Sequence, residues 1–310
     1  MERSIELLKE MQSWKLEHKV AHTIDAVSSF LYEKPDAVIS FSGGKDSTVL
    51  MHIIRNVMKM NLPAIFCNTG NEFPEIVKFA KKFPNTRFIY PRMHLQQVIE
   101  KYGFPLISKE YSKMIYELRN GAPHSSRYLT GLQLDGKPSK YILPHKWRFL
   151  VDAPFSCSDK CCEHFKKNPT KQLNCITAEM ASESTLREKS WLRVGCNSYG
   201  QKTGKSKPMS IWTDADVWEY KKHFNLEFCE IYDDPRVLRT GCMFCGFGAS
   251  FEKISRFELI SQRYPKIYQW GLKLQNSGVT YKEALKSVGV VLPGEVGYQF
   301  NIFSQFSLVD

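Results

Sequence analysis

The feature that most constrains the fold is a short apolar strand that leads through a glycine turn into a helix. Residues 36–41 form an apolar run after Pro35, Ser42-Gly43-Gly44 makes the turn, and a helical pattern extends from Asp46 to Met58. Similar strand and helix patterns follow it. Strands that alternate with helices indicate a parallel sheet with right-handed crossovers. The sequence therefore predicts an α/β fold with a mostly parallel sheet and flanking helices.

The neighbouring segments extend this pattern. Residues 1–33 have apolar positions at helical spacing, and residues 63–67 form a second strand-like run. A helix is predicted over residues 73–83, a third strand over 87–90 and another over 174–177. In such a sheet a nucleotide would bind at the carboxyl ends of the strands.

Two domains are predicted for the 310 residues. Residues 1–248 would form the nucleotide-binding domain and carry the cysteine segments, and residues 249–310 a mostly helical extension. The glycines and lysines of residues 202–208 predict a basic loop. This loop would be either a solvated surface feature or a contact for phosphate or nucleic acid.

The glycine turn has the composition of an anion site. Its glycines allow the backbone N–H groups to converge, and the following helix directs its positive end to the same point. Ser42 and Ser47 add hydroxyl donors, and Lys45 adds a positive charge. The alternative is an ordinary strand-to-helix turn with glycines for geometry. The order of strand, turn and helix favours phosphate binding.

The composition indicates where the protein is located and which partners it could bind. No apolar run is long enough for a secretory signal or a membrane helix, so the expected location is the cytoplasm, without membrane contact. Thiols stay reduced there, so nine cysteines favour metal binding or catalysis over disulfides. The net charge of +11 is compatible with a nucleic-acid substrate and equally with a polyphosphate nucleotide. The oligomeric state is left open.

Four cysteines have the spacing of a metal centre. Cys161 and Cys162 are adjacent, and Cys242 and Cys245 form a C-x-x-C pair. Four thiolates suit a [4Fe–4S] cluster or a structural zinc ion. Adjacent cysteines are awkward for one tetrahedral zinc ion, so the cluster is favoured over zinc and over simple buried thiols.

Two residues near Cys161 and Cys162 leave the ligand set of the predicted metal centre open. Cys157 and His164 lie close enough in sequence to replace either Cys161 or Cys162. The remaining cysteines have no partner at metal-ligand spacing and are interpreted as ordinary thiols.

These segments together resemble known families. The hexapeptide Ser42–Ser47 is similar to the signature of the PP-loop ATP pyrophosphatases. From about residue 36 to 248 the chain resembles the adenylyl-sulfate and phosphoadenylyl-sulfate (PAPS) reductases, in the cluster-bearing branch. The matching segments are Asn68-Thr69-Gly70 with Phe73-Pro74-Glu75; Cys161-Cys162 with Lys166, Pro169 and Leu173; Thr177, Ser184 and Arg187; Pro208 to Trp218; and Gly241 to Cys245.

The sequence departs from that family at three places. Asn68 stands where the family has aspartate, and Met180-Ala181, beside Glu179, occupy its paired-arginine position. The family also has a catalytic cysteine on a C-terminal tail, whereas the last cysteine here is Cys245. A reductase needs a thiolate nucleophile, so these departures weaken the expectation of sulfate-nucleotide reduction.

The resemblance implies an adenine nucleotide alpha hydrolase-like fold and an ATP-using enzyme. ATP or a related adenine nucleotide would bind with Mg²⁺, and an adenylated intermediate would serve sulfur transfer or modification. Lys45 and Asp46 are the catalytic candidates, with Asp46 as the possible Mg²⁺ ligand. The residues expected to bind nucleotide are Ser42, Gly43, Gly44, Lys45, Asp46, Ser47, Asn68, Thr69, Gly70 and Arg187.

Two other functions stay open. One is a reductase of adenylyl sulfate or its 3′-phosphorylated form that yields sulfite. The other is a non-catalytic nucleotide- or nucleic-acid-binding subunit of a modification complex. A sulfur or electron donor protein is a further possible partner of the enzyme.

Overall fold

The structure is a computed structural model that describes residues 3–238, 240–252 and 255–294. The strands are β1 (Val38–Ser40), β2 (Ala64–Cys67), β3 (Thr86–Ile89), β4 (Leu106–Ile107), β5 (Cys175–Ile176), β6 (Asn197–Tyr199), β7 (Gly204–Ser206), β8 (Gly246–Phe247), β9 (Gln275–Asn276) and β10 (Val279–Thr280). The α-helices are α1 (Ile5–Gln12), α2 (Leu16–Glu33), α3 (Lys45–His52), α4 (Pro74–Ala80), α5 (Leu95–Tyr102), α6 (Lys109–Arg119), α7 (Arg127–Thr130), α8 (Lys160–Cys162), α9 (Thr185–Val194), α10 (Asp214–Phe224), α11 (Arg256–Arg263), α12 (Pro265–Leu272) and α13 (Tyr281–Ser287). Short 3₁₀ helices cover His145–Val151, Asn168–Thr170, Ala181–Glu183, Glu230–Asp233 and Ala249–Phe251, and π-helical turns cover Ile53–Val57 and Glu163–Lys167.

The chain divides into two compact units that interleave along the sequence. The sheet unit comprises the described residues of 1–68, 73–90 and 168–240, and the cysteine unit those of 69–72, 91–167 and 241–310. The predicted division into residues 1–248 and 249–310 stays a prediction.

The sheet unit is built on six strands in the order β3-β2-β1-β5-β7-β6. All neighbouring pairs are parallel except β6 with β7. In register, Ile39 of β1 faces Ala64 of β2 on one side and Ile176 of β5 on the other. Ile39 and Ile176 are completely buried, as expected for a parallel sheet covered on both faces. The predicted mostly parallel α/β fold is confirmed.

The strand order reverses at β1. The chain continues from β1 through β2 to β3 on one side, while β5 and β7 lie on the other side. Such a reversal opens a crevice at the carboxyl ends of the strands, where ligands bind in open α/β sheets. The glycine turn begins two residues after β1, at Ser42, so the sequence places it at this crevice.

The predicted basic loop is in part a strand. Gly204–Ser206 form β7, which pairs with β5 and β6. The backbone N–H of Gly204 also donates to Asn174 Oδ1 at 2.6 Å. The expectation of a loop was wrong here because sheet pairing overrides the low strand propensity of glycine and lysine.

The cysteine unit is mostly helical. It contains α5 to α8 and α11 to α13, with β4 parallel to β8 and β9 antiparallel to β10. The predicted helical character after residue 249 agrees with α11 to α13. The aromatic stretch at residues 298–303 lies outside the described residues.

Candidate functional site

The glycine turn adopts a conformation that requires glycine at its centre. Gly43 has φ +70, a backbone region that residues with a side chain rarely adopt. A Cβ atom on Gly43 would lie 2.9 Å from Ile76 Cγ2 and 3.2 Å from the Ile76 carbonyl oxygen. The turn is therefore packed against the start of α4, and its backbone path is fixed by sterics.

Serine hydroxyls hold the turn closed from inside. Ser42 Oγ and Ser47 Oγ are 3.0 Å apart, and the Ser42 N–H donates to Ser47 Oγ at 3.3 Å. Ser47 Oγ in turn donates to the Gly44 carbonyl at 2.9 Å. These bonds pre-organise the loop at the N-terminus of α3, whose positive end favours an anion.

Lys45 is the buried cation of this loop. Only 3% of the residue is exposed, and its Nζ lies 2.9 Å from Asp46 Oδ1 and also pairs with Asp214. Burial acts to lower the pKa of Lys45, but the two carboxylates outweigh it and raise this pKa above its ordinary 10.5. The loop therefore holds a permanently charged ammonium group.

Asp214 reaches Lys45 because α10 begins with a strong cap. Thr213 Oγ1 accepts the Asp216 N–H at 3.4 Å, and the Asp216 carboxylate accepts the Thr213 N–H at 2.6 Å. Asp216 also pairs with buried Lys19 at 2.6 Å, which fixes the helix start. Asp214 is thus the second carboxylate at the loop, a role that its spacing in the sequence does not reveal.

Two hydroxyl groups from a later segment contact the same loop. The Lys45 backbone N–H donates to the Tyr232 hydroxyl at 3.2 Å, and that hydroxyl lies 3.1 Å from Thr240 Oγ1. Both oxygens lie beside Gly44, where an added Cβ would meet them at 3.2 and 3.1 Å. Sequence reasoning missed Tyr232 and Thr240, because no motif or periodicity marks them.

The Asn68-Thr69-Gly70 segment is divided between the units. Asn68 follows β2 directly and belongs to the sheet unit, where its N–H donates to the Ile89 carbonyl at 2.9 Å. Thr69 and Gly70 belong to the cysteine unit. There the Thr69 N–H donates to Glu72 Oε2 at 2.9 Å.

Arg187 lies in the first turn of α9, whose N-cap is Ser184. Its guanidinium pairs with Glu183, four residues earlier. Its predicted role in phosphate binding stays a prediction.

Glu179, which precedes the family's paired-arginine position, forms two ion pairs. Glu179 Oε1 pairs with Lys205 at 2.8 Å, and Glu179 Oε2 pairs with Lys207 at 3.2 Å. Burial acts to raise the pKa of Glu179, but the two lysines outweigh it and hold this pKa below its ordinary range. Two of the three ammonium groups of the predicted basic loop, those of Lys205 and Lys207, are therefore paired within the protein.

The four predicted metal ligands lie in the cysteine unit and influence one another. Cys161 shares a hydrogen bond with Cys162, and this bond, burial and the nearby Cys245 and Cys242 all raise the pKa of Cys161. Burial raises the pKa of Cys242 to about 12, and Cys245 and Cys162 contribute to that rise. The fold thus brings two cysteine pairs that are far apart in sequence into one electrostatic neighbourhood.

Positive charge accompanies these thiols. Lys166 is near Cys242, Cys162 and Cys245, and the first of these contributes most to raising its pKa. The hydrogen bond from Cys161, with Lys109 and Lys166 nearby, lowers the pKa of Cys162 to about 6. The thiolate, which is the metal-binding form of cysteine, is therefore favoured at Cys162, whereas the raised pKa values of Cys161, Cys242 and Cys245 favour their thiols.

Asn71 holds the C-x-x-C loop. Its carbonyl accepts the Met243 N–H at 2.7 Å, and its Oδ1 accepts the Phe244 N–H at 3.0 Å. Asn71 is 2% exposed. It was also missed, although its position directly after Thr69-Gly70 was a usable signal.

Cys157 and His164 have other contacts. Cys157 Sγ lies 3.0 Å from Ser112 Oγ, and burial raises the pKa of Cys157 to about 11. The His164 ring stacks on Tyr102 with ring centres 5.0 Å apart. Within the described residues, no group of three or more His, Cys, Asp or Glu side chains is arranged around a single-ion position.

Comparison with known proteins shows a family similarity in the segment that carries the glycine turn. Residues 36–114, which include the glycine turn, match the phosphoadenosine phosphosulfate reductase domain. The chain is thus similar to this domain family over that stretch. The family resemblance drawn from the motifs is confirmed.

Relatives of the chain are distant. An uncharacterized protein of Methanocaldococcus jannaschii is 25% identical over 285 residues, 88% of this chain and 56% of that protein, so the chain spans little more than half its length. Sulfate adenylyltransferase subunit 2 of Aliivibrio fischeri is 24% identical over 74% of this chain and 71% of its own. A crystal structure of PAPS reductase from Candida auris, in complex with phosphate, aligns over 75% of this chain and 93% of its own with 12% identity and a TM-score of 0.39.

None of the helices in the described part of the chain combines the length and the apolar character needed to cross a bilayer.

Proposed function

We propose that this PP-loop protein binds ATP or a related adenine nucleotide and forms an adenylated intermediate that serves sulfur transfer or modification. The observation that carries the proposal is the loop Ser42–Ser47, which follows the strand at which the sheet order reverses. Its pre-organised backbone, its buried ammonium group and the helix N-terminus together suit a polyphosphate. The family match includes this loop and supports a phosphate-binding role.

The residues of the loop have distinct tasks in this proposal. Backbone N–H groups of residues 43–47 and the Lys45 ammonium would bind the phosphates and withdraw charge from the α-phosphorus. An acceptor oxygen would attack that phosphorus, the bond to the bridging oxygen would break, and pyrophosphate would leave with its electron pair. Stabilisation of charge that develops on the phosphate oxygens is the main contribution such a site can make. Mg²⁺ bound to ATP would balance the phosphate charge, with Asp46 as its candidate protein ligand.

The relatives favour adenylation over reduction. The Aliivibrio fischeri relative is named as a subunit of sulfate adenylyltransferase, and 74% of this chain aligns with it. In this chain Lys205 and Lys207 are paired with Glu179, a carboxylate directly beside the position where reductases have arginines for an anionic phosphosulfate.

The cysteine unit fits an iron–sulfur cluster. Four thiols share one neighbourhood with Lys166, and four cysteine thiolates are a ligand set that such a cluster would accept. Cys161, Cys162, Cys242 and Cys245 would hold it. Bound there, a [4Fe–4S] cluster would supply a site for sulfur or electron handling, and the surrounding lysines would stabilise its negative charge. Zinc is the alternative occupant.

The first experiment is calorimetric binding on protein purified without oxygen, with ATP, adenylyl sulfate and its 3′-phosphorylated form. We expect ATP to bind at least tenfold more tightly, about 1.4 kcal/mol. The Lys45→Met variant should bind ATP about 10- to 100-fold more weakly, because it loses a charge-assisted hydrogen bond worth about 1.5–3 kcal/mol. Lys189→Met, which removes an exposed lysine of the same unit, is the matched control.

The second candidate function is reduction of a sulfate nucleotide, which the domain family itself favours. A preference for a sulfate nucleotide in the same titration, followed by a sulfite adduct on a cysteine in intact-protein mass spectrometry, would replace the adenylation proposal. Absence of ATP binding in wild type and of pyrophosphate release with any acceptor would refute that proposal directly.

A further inference from the structure

A segment of the cysteine unit carries an excess of positive charge. Residues 124–149, called here the aromatic–basic segment, contain five lysines and arginines against one acid, Asp135. That acid is paired with Lys137 at 3.0 Å. The other four cations have no carboxylate ion-pair partner among the described residues; they are Arg127, Lys140, Lys146 and Arg148. The segment therefore presents uncompensated positive charge.

The segment is folded into one patch rather than extended. Arg148 Nη2 donates to the Leu129 carbonyl at 3.0 Å, and the Leu143 N–H donates to the Tyr128 carbonyl at 2.8 Å. A further backbone bond joins the Ser139 N–H to the Gly131 carbonyl at 2.7 Å. These bonds connect residues that are 8 to 19 positions apart, so the cations and the exposed side chains share one surface.

Aromatic rings are interleaved with these cations. The Arg127 guanidinium lies 5.4 Å from the ring centre of Tyr141, and Lys146 Nζ lies 4.9 Å from that of Trp147. Tyr141 is 41% exposed, Phe149 is 47% exposed, and Leu134 is 79% exposed. Large rings left in water beside cations suggest a ligand with both flat apolar faces and negative charge.

We propose that the aromatic–basic segment is a binding surface for single-stranded nucleic acid. The cations match a phosphate backbone, and the exposed rings match unstacked bases, which every nucleotide of a single strand can offer. A protein partner with an apolar surface would leave four cations without a counter-charge, so charge complementarity favours the polyanion. RNA and DNA share this chemistry. The inference goes beyond nucleotide binding at the PP-loop and does not depend on it.

The test is fluorescence anisotropy with labelled 12-nucleotide single-stranded RNA, the equivalent DNA and a 12-base-pair DNA duplex. We expect the single strands to bind more tightly than the duplex. With four phosphate contacts, the slope of log K against log salt should be about −3. The comparison of RNA with DNA then identifies the source of the strand.

Charge reversal tests the cations. The Lys140→Glu/Lys146→Glu variant should bind at least tenfold more weakly, and its salt slope should weaken to about −1.5, because two phosphate contacts are lost. Lys266→Glu/Lys273→Glu makes the same change in net charge on exposed lysines elsewhere in the cysteine unit. This control should change affinity by less than about threefold. Equal losses in the two variants would overturn the proposal, because they would indicate a nonspecific charge effect.

Removal of one aromatic ring distinguishes a nucleic-acid ligand from a protein partner. Phe149→Ala should weaken binding of a single strand about tenfold, since base stacking is worth that much at one ring. Leu134→Ala, the matched loss of an exposed aliphatic side chain, should have little effect. The proposal is overturned if no oligonucleotide binds wild type with salt dependence. It is also overturned if Leu134→Ala instead abolishes self-association in light scattering, which would make the segment a protein interface. Calorimetry with ATP, run in parallel, reports on the PP-loop independently.

Discussion

At the residue scale, the loop is defined by contacts that occupy the groups a phosphate would use. The ammonium of Lys45 is paired with Asp46 and Asp214, and its backbone N–H donates to the Tyr232 hydroxyl. A ligand anion has to compete with these internal partners for the same donors. The apparent affinity of the loop therefore depends on side chains outside the glycine motif as well as on those within it.

Tyr232→Phe tests this competition. It removes the hydroxyl that accepts from the Lys45 N–H and keeps the ring, so a phosphate oxygen would not have to displace a hydrogen bond. A bond of this kind is worth about 0.5–1.5 kcal/mol, so pyrophosphate should bind about 2- to 10-fold more tightly in calorimetry. Tyr220→Phe, which removes a hydroxyl bonded to His52 in the same unit, should leave affinity unchanged. Weaker binding by Tyr232→Phe would instead make the hydroxyl a direct ligand.

At the element scale, two loops present the candidate chemistry, and each is held by contacts to residues distant in sequence. The loop between β1 and α3 packs on Ile76 at the start of α4. The C-x-x-C loop before β8 is held by Asn71. Both loops are fixed through backbone atoms, so their geometry should be sensitive to single substitutions that leave the charged groups intact.

Gly43→Ala should destabilise the sheet unit and abolish nucleotide binding. The added methyl group meets a positive φ and a contact of 2.9 Å, and together these should cost about 2–4 kcal/mol in the free energy of unfolding. Gly131→Ala is the control, because Gly131 has φ +73 in the left-handed helical region but its nearest contact is 3.4 Å, to the end of the Ile142 side chain. The control should lose only about 1–2 kcal/mol in urea unfolding. Equal losses would show that packing against Ile76 is unimportant.

Asn71→Ala should impair assembly of the proposed iron–sulfur cluster. Its Oδ1 accepts the Phe244 N–H, and that buried donor would lose its partner at a cost of about 1–3 kcal/mol. After anaerobic reconstitution, iron content per chain and absorbance near 400 nm should fall well below those of wild type. Asn120→Ala, at an exposed asparagine of the same unit, should reconstitute normally. Full iron loading of Asn71→Ala would mean that the C-x-x-C loop does not need this support.

At the scale of the whole molecule, two half-buried histidines tie stability to pH. His22 Nε2 lies 3.4 Å from Cys196 Sγ, and His52 Nδ1 lies 2.9 Å from the Tyr220 hydroxyl. Burial is the main reason that the pKa of each is below its ordinary 6.5, with a smaller opposing contribution from Asp25 at His22. Both histidines belong to the sheet unit, so their neutral forms support its fold.

The sign of the pH effect follows from these lowered pKa values. Near pH 6 the unfolded chain binds more protons than the folded chain, so the free energy of unfolding rises with pH. The contribution is complete above pH 6.5 and is lost as the pH falls through the lowered pKa values of His22 and His52. Urea unfolding between about pH 5 and 8, the range in which histidine changes its charge, should show that the free energy of unfolding rises with pH.

Substitution identifies the groups responsible. The His22→Gln/His52→Gln variant should show a flatter dependence of unfolding free energy on pH than wild type. His18→Gln, at an exposed histidine of α2, should keep the slope of wild type. An unchanged slope in the double variant would assign the pH dependence to other groups.

The sequence by itself determined the local elements and the chemistry they carry. Alternating strands and helices predicted the parallel sheet, because hydrophobic periodicity is a local property. Short motifs identified the glycine turn, the two cysteine pairs and the family resemblance. The four cysteines could be named as one set from spacing and resemblance, and the fold places them in one neighbourhood.

Only the tertiary structure decided which distant groups complete these sites. Asp214 and Tyr232 contact Lys45 from more than 160 residues away, and Asn71 bonds to Phe244 across 173 residues. The strand at Gly204–Ser206 likewise depends on pairing with β5 and β6. Such contacts depend on how elements pack, and a polar residue that forms them leaves no periodic signal in the chain. The contacts of Asp214 and Tyr232 with Lys45 could therefore be identified only from the folded structure.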